Sequence, residues 1–140
     1  MSTVLRAAVG DQPLSVAEHE QLVGGPQAGA VVTFAGVVRE HDHGRAVTLL
    51  EYVGHPSAAA VIAEVAAEVA AEAGVIALAV SHRVGTLAVG DVALACAVSS
   101  AHRGEAFTAC ARLVEEVKHR LPIWKRQVFA DGTDEWVNCP

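Results

Sequence analysis

Several features that identify common protein classes are scarce or missing in this sequence. It has three cysteines, Cys96, Cys110 and Cys139, without CxxC spacing, so neither a disulfide framework nor a zinc ribbon is expected. No apolar run reaches the ~18–20 residues that a membrane-spanning helix requires. The N-terminal segment MSTVLRAAVG lacks the basic start and apolar core of a signal peptide. A cytoplasmic protein without a membrane span is therefore expected.

Charge is limited as well. Charged residues make up 19% of the chain and hydrophobic residues 52%. A disordered protein would have more charged and fewer hydrophobic residues. The net charge of -6 argues against a nucleic-acid-binding protein. Domains commonly contain ~100–150 residues, so the 140 residues predict one domain over residues 1–140.

Lysine is the scarcest cation. The chain has only Lys118 and Lys125 beside eight arginines, and five of its ten Lys and Arg residues lie between Arg112 and Arg126. An acidic protein that gathers cations in one segment can bind a small anion there. A solvated helix face is the alternative explanation of the same pattern.

Hydrophobic periodicity predicts an α+β fold with three helices on one side of a mainly antiparallel sheet. Ser15 and Glu18 form a capping box, Gly74 suits a helix C-terminus, and Pro122 ends the third helix. A polar loop with Gly44 as its turn residue is predicted at 41–45, and a turn-rich connection at 84–91. The predicted strands are 4–9, 29–39, 47–53, 75–83, 91–99, 123–130 and 133–137, and the helices are 15–24, 56–73 and 100–121.

Both long helices carry an apolar stripe. In the second, valines at 61, 65 and 69 share one face, and Glu64, Glu68 and Glu72 form a neighbouring stripe that is expected to be solvated. In the third, the predicted core face is Ala106, Phe107, Cys110, Leu113, Val114, Val117 and Leu121. Cys96 and Cys110 are accordingly expected to be packing residues.

The two lysines are the first candidates for chemistry. Lysine can lose its proton and act as an amine nucleophile once burial or neighbouring cations lower its pKa, whereas arginine cannot. Lys118 falls at the edge of the apolar stripe of the third helix. Lys125 projects from the following strand, and Gln127 shares its face. The helix end and strand start are therefore expected to bring both amines around one cleft.

A second candidate lies where a strand leads into the third helix. His102 and Arg103 fall in or near the first helical turn, where free amides and the helix dipole attract anions. Arginine adds a forked phosphate ligand. With Arg39 at the end of the 29–39 strand, the cleft would hold four cations. The alternative is that Arg103 is a surface residue and His102 a packed core residue.

Other catalytic arrangements are not indicated. His41 and His43 lie two residues apart on the polar loop, and no metal site is expected there. Nothing in the sequence resembles a Ser-His-Asp triad, a P-loop or a GxGxxG turn.

Four segments, in order, resemble the molybdopterin synthase large-subunit family. They are VTFAGVVREHDHGRAVTLLEY, HRVGTLAVGD, VSSAHRGEAF and LPIWKRQ, followed by a closing DG and WV. The resemblance runs from about residue 29 to residue 137. It implies an α/β hammerhead-type fold and a dimer of large subunits, each carrying one small subunit, as a heterotetramer.

The resemblance also implies a reaction. The small ubiquitin-like subunit would end in a Gly-Gly thiocarboxylate and donate sulfur to cyclic pyranopterin monophosphate, and two transfers would give the dithiolene of molybdopterin. No metal or organic cofactor is implied. The residues that the resemblance places in the substrate pocket are Val37, Val38, Arg39, His102, Arg103, Lys118, Lys125, Arg126 and Gln127.

We assign provisional roles within that set. Arg39, His102 and Arg103 would hold the phosphate and pterin. Lys118 would meet the terminal carbonyl of the partner, and Lys125 would act as acid or base on the pterin side chain or cyclic phosphate.

The sequence departs from the family pattern in two places. Gln127 stands where a glutamate is usual, so no carboxylate is available there. The segment VGHPSA, residues 53–58, differs from the usual Glu-Tyr-rich segment. Two other functions are open. A non-catalytic domain that binds a phosphorylated metabolite would also explain the cation cluster, and a purely structural subunit would be insensitive to substitution of Lys118 and Lys125.

Overall fold

The computed structural model describes the backbone of residues 3–139 and the side chains of residues 3–137. Within that range the helices are α1 (Val16–Val23), α2 (Ala58–Ala70) and α3 (Arg103–Arg120). The strands are β1 (Thr3–Gly10), β2 (Ala30–Val37), β3 (His41–Asp42), β4 (Arg45–Gly54), β5 (Val75–Arg83), β6 (Gly85–Ala88), β7 (Val92–Ser100), β8 (Ile123–Phe129) and β9 (Asp134–Cys139). None of these helices is both long enough and apolar enough to traverse a bilayer.

The strands form two sheets. In the first the order is β1-β5-β7-β2, and in the second it is β3-β4-β8-β9 with β6 also paired to β4. Only the β1–β5 pair is parallel among the described strands. The prediction of an α+β fold with a mainly antiparallel sheet is confirmed, but the strands are divided between two sheets.

The helices lie on both faces of the first sheet, so the prediction of helices on one side is wrong. Along β5, Leu78 and Val80 pack into the large core with α2 and α3, whereas Ala77 and Ala79 pack into a smaller cluster with Val23 of α1. Strand side chains alternate between faces. The small side chains of Ala77 and Ala79 leave room for α1 on this second face.

The apolar stripes form the main core, with one exception. Val65 and Val69 of α2, and Leu113 and Val117 of α3, are at most 1% exposed. Burial of a valine or leucine side chain contributes ~1.5–3 kcal/mol. Phe107 was predicted to lie on the core face of α3 but is 60% exposed, and it lines a surface groove between α3 and β2.

Two segments predicted as loops contain short strands. His43 and Gly44 form the two-residue turn of the hairpin that joins β3 to β4. Both have positive φ, 51° and 77°, and a positive φ favours glycine. The predicted turn role of Gly44 is confirmed. The connection after β5 contains β6, which pairs with β4.

Helix boundaries also differ from the predicted ones. The third helix was predicted to begin near residue 100, but Ser100 is fully buried in β7 opposite Ala30, and the N-cap is His102. Helix α2 ends with Ala71 as its C-cap. Gly74, predicted at the C-terminus of α2, lies three residues beyond that cap with φ of 85°.

Gly74 supplies a test of the packing between the α2–β5 turn and α3. Its positive φ disfavours a side chain, and a Cβ there would overlap the carboxylate of Glu105. We expect Gly74→Ala to lower the free energy of unfolding by about 1–3 kcal/mol, measured by urea denaturation. The matched control is Gly104→Ala, because Gly104 is helical, exposed and has open space around its Cα. That variant should be slightly stabilised. Equal effects of the two substitutions would contradict this account.

Candidate functional site

A cavity of about 270 Å³ lies where the two sheets meet the C-terminal half of α3. The first sheet contributes the end of β2 with Val37, Val38 and the following Arg39, together with residues of β5 and β7. The second sheet contributes residues of β4 and β8, and α3 contributes Lys118. The cavity is thus formed by elements far apart in sequence.

Both lysines line this cavity, as the sequence predicts. Lys118 lies in the last turn of α3. Lys125 lies on β8 opposite Tyr52, and Gln127, two residues on, points to the same side and also lines the cavity. Both lysines are half-buried. Two primary amines, one from a helix end and one from the adjoining strand, therefore meet at one cavity.

The neighbouring arginines are neutralised by carboxylates. Arg120 contacts Glu68 at 2.7 Å, and Arg112 contacts Glu72 at 3.1 Å. Glu64 and Glu68 are exposed, as expected, and the glutamate stripe also pairs with arginines of α3. Such half-exposed pairs contribute little stability each. Arg112 and Arg120 thus pair with the glutamates, and neither of them lines the cavity.

The lysines differ from those arginines in their surroundings. Among the described side chains, no carboxylate lies within 4.0 Å of the amine of Lys118 or Lys125. A half-buried ammonium group without a counter-ion favours an incoming anion. The two amines therefore supply positive charge to the cavity wall, in addition to Arg39 at its rim.

Arg126 does not line the cavity, contrary to the expectation from the family resemblance. It alternates with Lys125 and Gln127 along β8 and projects from the opposite face. There it contacts Asp134 at 2.7 Å and Glu51 at 3.7 Å. Its charge is used in pairing β8 with its two neighbouring strands.

Arg39 lies at the cavity rim and is held by a carboxylate that the sequence reasoning missed. Its Nη2 donates to Asp42 Oδ1 at 3.2 Å, and Gln127 Nε2 donates to Asp42 Oδ2 at 2.7 Å. The Gln127 hydrogen bond lowers the pKa of Asp42, and the charges of His43, Lys125 and Arg39 lower it further. The available sequence signal was an acidic residue three positions after Arg39.

His102 and Arg103 are not at this cavity. Both are exposed at the N-terminus of α3, and Lys118 lies about 22 Å further along the helix axis at 1.5 Å per residue. The prediction of four cations in one cleft is therefore wrong for a single chain. Arg39, Lys118 and Lys125 are present, and Arg103 is at the far end of α3.

Two further cavity residues, His82 and Tyr52, were not singled out from the sequence. Their rings meet edge to face, with centroids 5.1 Å apart. Burial lowers the pKa of His82 to about 4, and the charge of Lys118 adds to this shift. The sequence signal was their position in two of the family-like segments, since His82 begins HRVGTLAVGD and Tyr52 ends VTFAGVVREHDHGRAVTLLEY.

The cysteines with described side chains, Cys96 and Cys110, are buried and not disulfide-bonded. Burial raises the pKa of both thiols, that of Cys110 to about 11. A thiol with a raised pKa is a poor nucleophile at neutral pH. Their predicted role in packing agrees with their position in the main core.

The Asp42 cluster makes a pH-dependent contribution to stability. Because the pKa of Asp42 is lowered in the folded protein, this contribution is present above its unfolded pKa and is lost as the pH falls through the folded pKa. Asp42→Asn should cost about 1 kcal/mol near neutral pH and almost nothing near pH 2, by thermal unfolding. Glu20→Gln is the control, because no ion pair or hydrogen bond of its side chain occurs among the described residues. A cost independent of pH would contradict the assignment.

Comparison with known proteins gives consistent matches. The family model described as MoaE protein matches residues 9–120. The chain is 39% identical to molybdopterin synthase catalytic subunit 1 of Mycobacterium tuberculosis over 128 residues, covering 91% of this chain and 86% of that relative. It is 37% identical to the molybdopterin synthase catalytic subunit of a Nostoc species, covering 90% and 78%.

A solved structure shows the same fold. The X-ray structure of molybdopterin synthase from Staphylococcus aureus superposes with a TM-score of 0.84 at 32% identity, covering 93% of this chain and 95% of that chain. The family match spans most of the chain, and relatives above 30% identity span nearly all of it. This chain belongs to the MoaE family of molybdopterin synthase catalytic subunits.

Proposed function

We propose that this protein is the catalytic subunit of a molybdopterin synthase and that it is a sulfurtransferase. It would move sulfur from the C-terminal Gly-Gly thiocarboxylate of a small ubiquitin-like partner to cyclic pyranopterin monophosphate. The observation that supports this most strongly is the meeting of Lys118 and Lys125 at one cavity. They are the only lysines in the sequence, and no described carboxylate neutralises them.

The charge of the cavity suits the substrate. Arg39, Lys118 and Lys125 supply three cations around it, and a phosphate ester carries the complementary charge. The volume of about 270 Å³ is near the ~300 Å³ lower bound of small-molecule pockets. In this proposal Asp42 and Gln127 hold Arg39 at the rim, where it faces the phosphate.

Lys118 is proposed to act on the thiocarboxylate. After the sulfur has bonded to the pterin, its amine either donates a hydrogen bond to the carbonyl oxygen while water attacks the carbonyl carbon, or attacks that carbon itself. In both cases the C–S bond breaks and the sulfur stays on the pterin, and in the second case water must then cleave the amide formed on Lys118. Its stem is covered at the edge of the α3 core stripe, and its amine opens into the cavity. Only the second route needs a lysine amine, and it needs the amine unprotonated, because a guanidinium can also donate a hydrogen bond.

Lys125 is proposed to be the acid or base on the pterin side. It projects from β8 beside Gln127, and the Gln127 side-chain amide is committed to Asp42. Proton transfer requires a group within hydrogen-bond reach of the reacting atoms. Lys125 is the titratable group on this strand face, so it is assigned the proton-transfer steps.

Arg103 enters this proposal through a second copy of the chain. It cannot reach the cavity of its own subunit, about 22 Å away along α3, yet the family resemblance assigns it to the pocket and implies a dimer. The same half of α3 borders an apolar groove with the exposed Phe107, which is suited to a subunit contact. We therefore assign Arg103 to the cavity of the neighbouring subunit.

The Lys118 assignment is tested by reconstitution with a thiocarboxylated small subunit and the cyclic pterin, scoring molybdopterin formed per minute. Lys118→Ala should lose nearly all activity while remaining folded, because no other amine occupies its place. Lys118→Arg should fail as well, since a guanidinium cannot act as an amine nucleophile. His119→Ala, one residue away but exposed and outside the cavity, is the control. Wild-type turnover by Lys118→Arg would rule out amine chemistry at this residue.

The shared site is tested by mixing variants at a pterin concentration too low for sites that lack Arg103 to bind it. Arg103→Ala alone should weaken pterin binding more than it lowers turnover. Random re-association of Lys118→Ala with Arg103→Ala subunits should restore about a quarter of wild-type activity, because half of the dimers are mixed and each has one intact site. Lys118→Ala mixed with Lys125→Ala should restore none, because both lysines line the cavity of one chain. Recovery in both mixtures, or in neither, would remove Arg103 from the site.

A further inference from the structure

His82 has no role in the chemistry described above, although it lies on the cavity wall. It is on β5 and is 6% exposed, with its ring packed against that of Tyr52. A buried polar side chain requires hydrogen-bond partners, because burial without them costs free energy. The partners of its two ring nitrogens therefore define what it can do.

The protonation state of the ring follows from its contacts. His82 Nδ1 lies 2.8 Å from the carbonyl oxygen of Arg83, and a carbonyl can only accept, so Nδ1 carries the hydrogen. Burial and the nearby charge of Lys118 lower the pKa of His82 to about 4, so the ring is neutral at neutral pH. Nε2 is then left with an unshared electron pair and accepts hydrogen bonds.

Nε2 is also accessible from the cavity. Nε2 has no hydrogen-bond partner among the described residues. It is also absent from the set of unpaired side-chain atoms that are sealed from solvent. In their charged forms, the cations around the same cavity, Arg39, Lys118 and Lys125, donate hydrogen bonds and do not accept them. His82 thus places a neutral acceptor on the inner wall of a cavity otherwise rich in donors.

We propose that His82 is a specificity-determining residue whose Nε2 accepts a hydrogen bond from a ring N–H or hydroxyl donor of the bound pterin. This rests on the proposed function and deepens it. The lysines and Arg39 bind any anionic group that enters the cavity. His82 selects ligands that also place a hydrogen-bond donor within reach of Nε2. An anion without a donor, such as sulfate, binds to the cations alone.

Two substitutions separate recognition from a structural role. In His82→Asn the side-chain NH₂ can replace Nδ1 and donate to the Arg83 carbonyl, but nothing reaches the position of Nε2. In His82→Gln the longer side chain can place its amide oxygen near Nε2, and the bond to Arg83 is lost. A structural role predicts that His82→Asn is the better tolerated variant, and recognition predicts the reverse for pterin binding.

The experiment measures binding of cyclic pyranopterin monophosphate and of sulfate to the full chain by calorimetry, with thermal unfolding of each variant. We expect His82→Asn to bind the pterin about tenfold more weakly than wild type, while His82→Gln stays within about twofold. Sulfate binding should not change in either variant. His119→Asn should behave as wild type in every assay.

Nitrogen NMR of the wild-type protein gives a second readout that needs no folded variant. The Nε2 resonance of His82 should be that of an unprotonated nitrogen, and it should shift when the pterin is added but not when sulfate is added. Unchanged pterin affinity in His82→Asn, equal losses in both variants, or an unshifted Nε2 resonance would overturn the proposal. Wild-type protein that binds sulfate but no pterin would instead refute the proposed function, and the assignment of His82 with it.

Discussion

The corner between α3 and β8 is the constraint on which the site depends. Pro122 cannot continue the helix, and the chain turns so sharply that Ile123 N donates to Leu121 O at 2.9 Å. The Pro122 carbonyl in turn accepts from His55 N, at the start of the α2 segment, at 2.9 Å. Because the corner is tied on both sides, the last turn of α3 and the first residues of β8 are held at one cavity.

The distribution of carboxylate partners distinguishes the arginines from the two lysines, which are the candidate catalytic residues. Arg112 and Arg120 join α3 to α2, and Arg126 joins β8 to its neighbours, each through carboxylates. These contacts use the guanidinium groups for holding elements together. The lysines face the cavity from the same helix and strand without such partners. The face of α3 or β8 on which a cation lies therefore decides whether it holds elements together or is a candidate catalytic group.

Local periodicity was sufficient to predict part of the site. The stripe edge on α3 and the two-residue alternation on β8 correctly placed Lys118, Lys125 and Gln127 around one cleft. Arg103 was misplaced because it begins α3, an 18-residue helix, whereas Lys118 lies in its last turn. Local sequence around Arg103 does not show that the length of the helix separates the two side chains. His82 and Asp42 were missed because their importance arises from contacts across the two sheets. The small alanines of β5 gave no periodic signal that α1 would cover the second face.

The cavity wall is drawn from residues as far apart as Gly36 and Gln127, and this has a thermodynamic consequence. Such a wall does not exist in any fragment of the chain and disappears when the sheets separate, so the unfolded state has no comparable affinity for ligand. Occupancy therefore shifts the folding equilibrium by mass action, by about 2.7 kcal/mol at a ligand concentration one hundred times the dissociation constant. In a cell, the concentration of the ligand would then influence how long each copy of the protein stays folded before it is degraded.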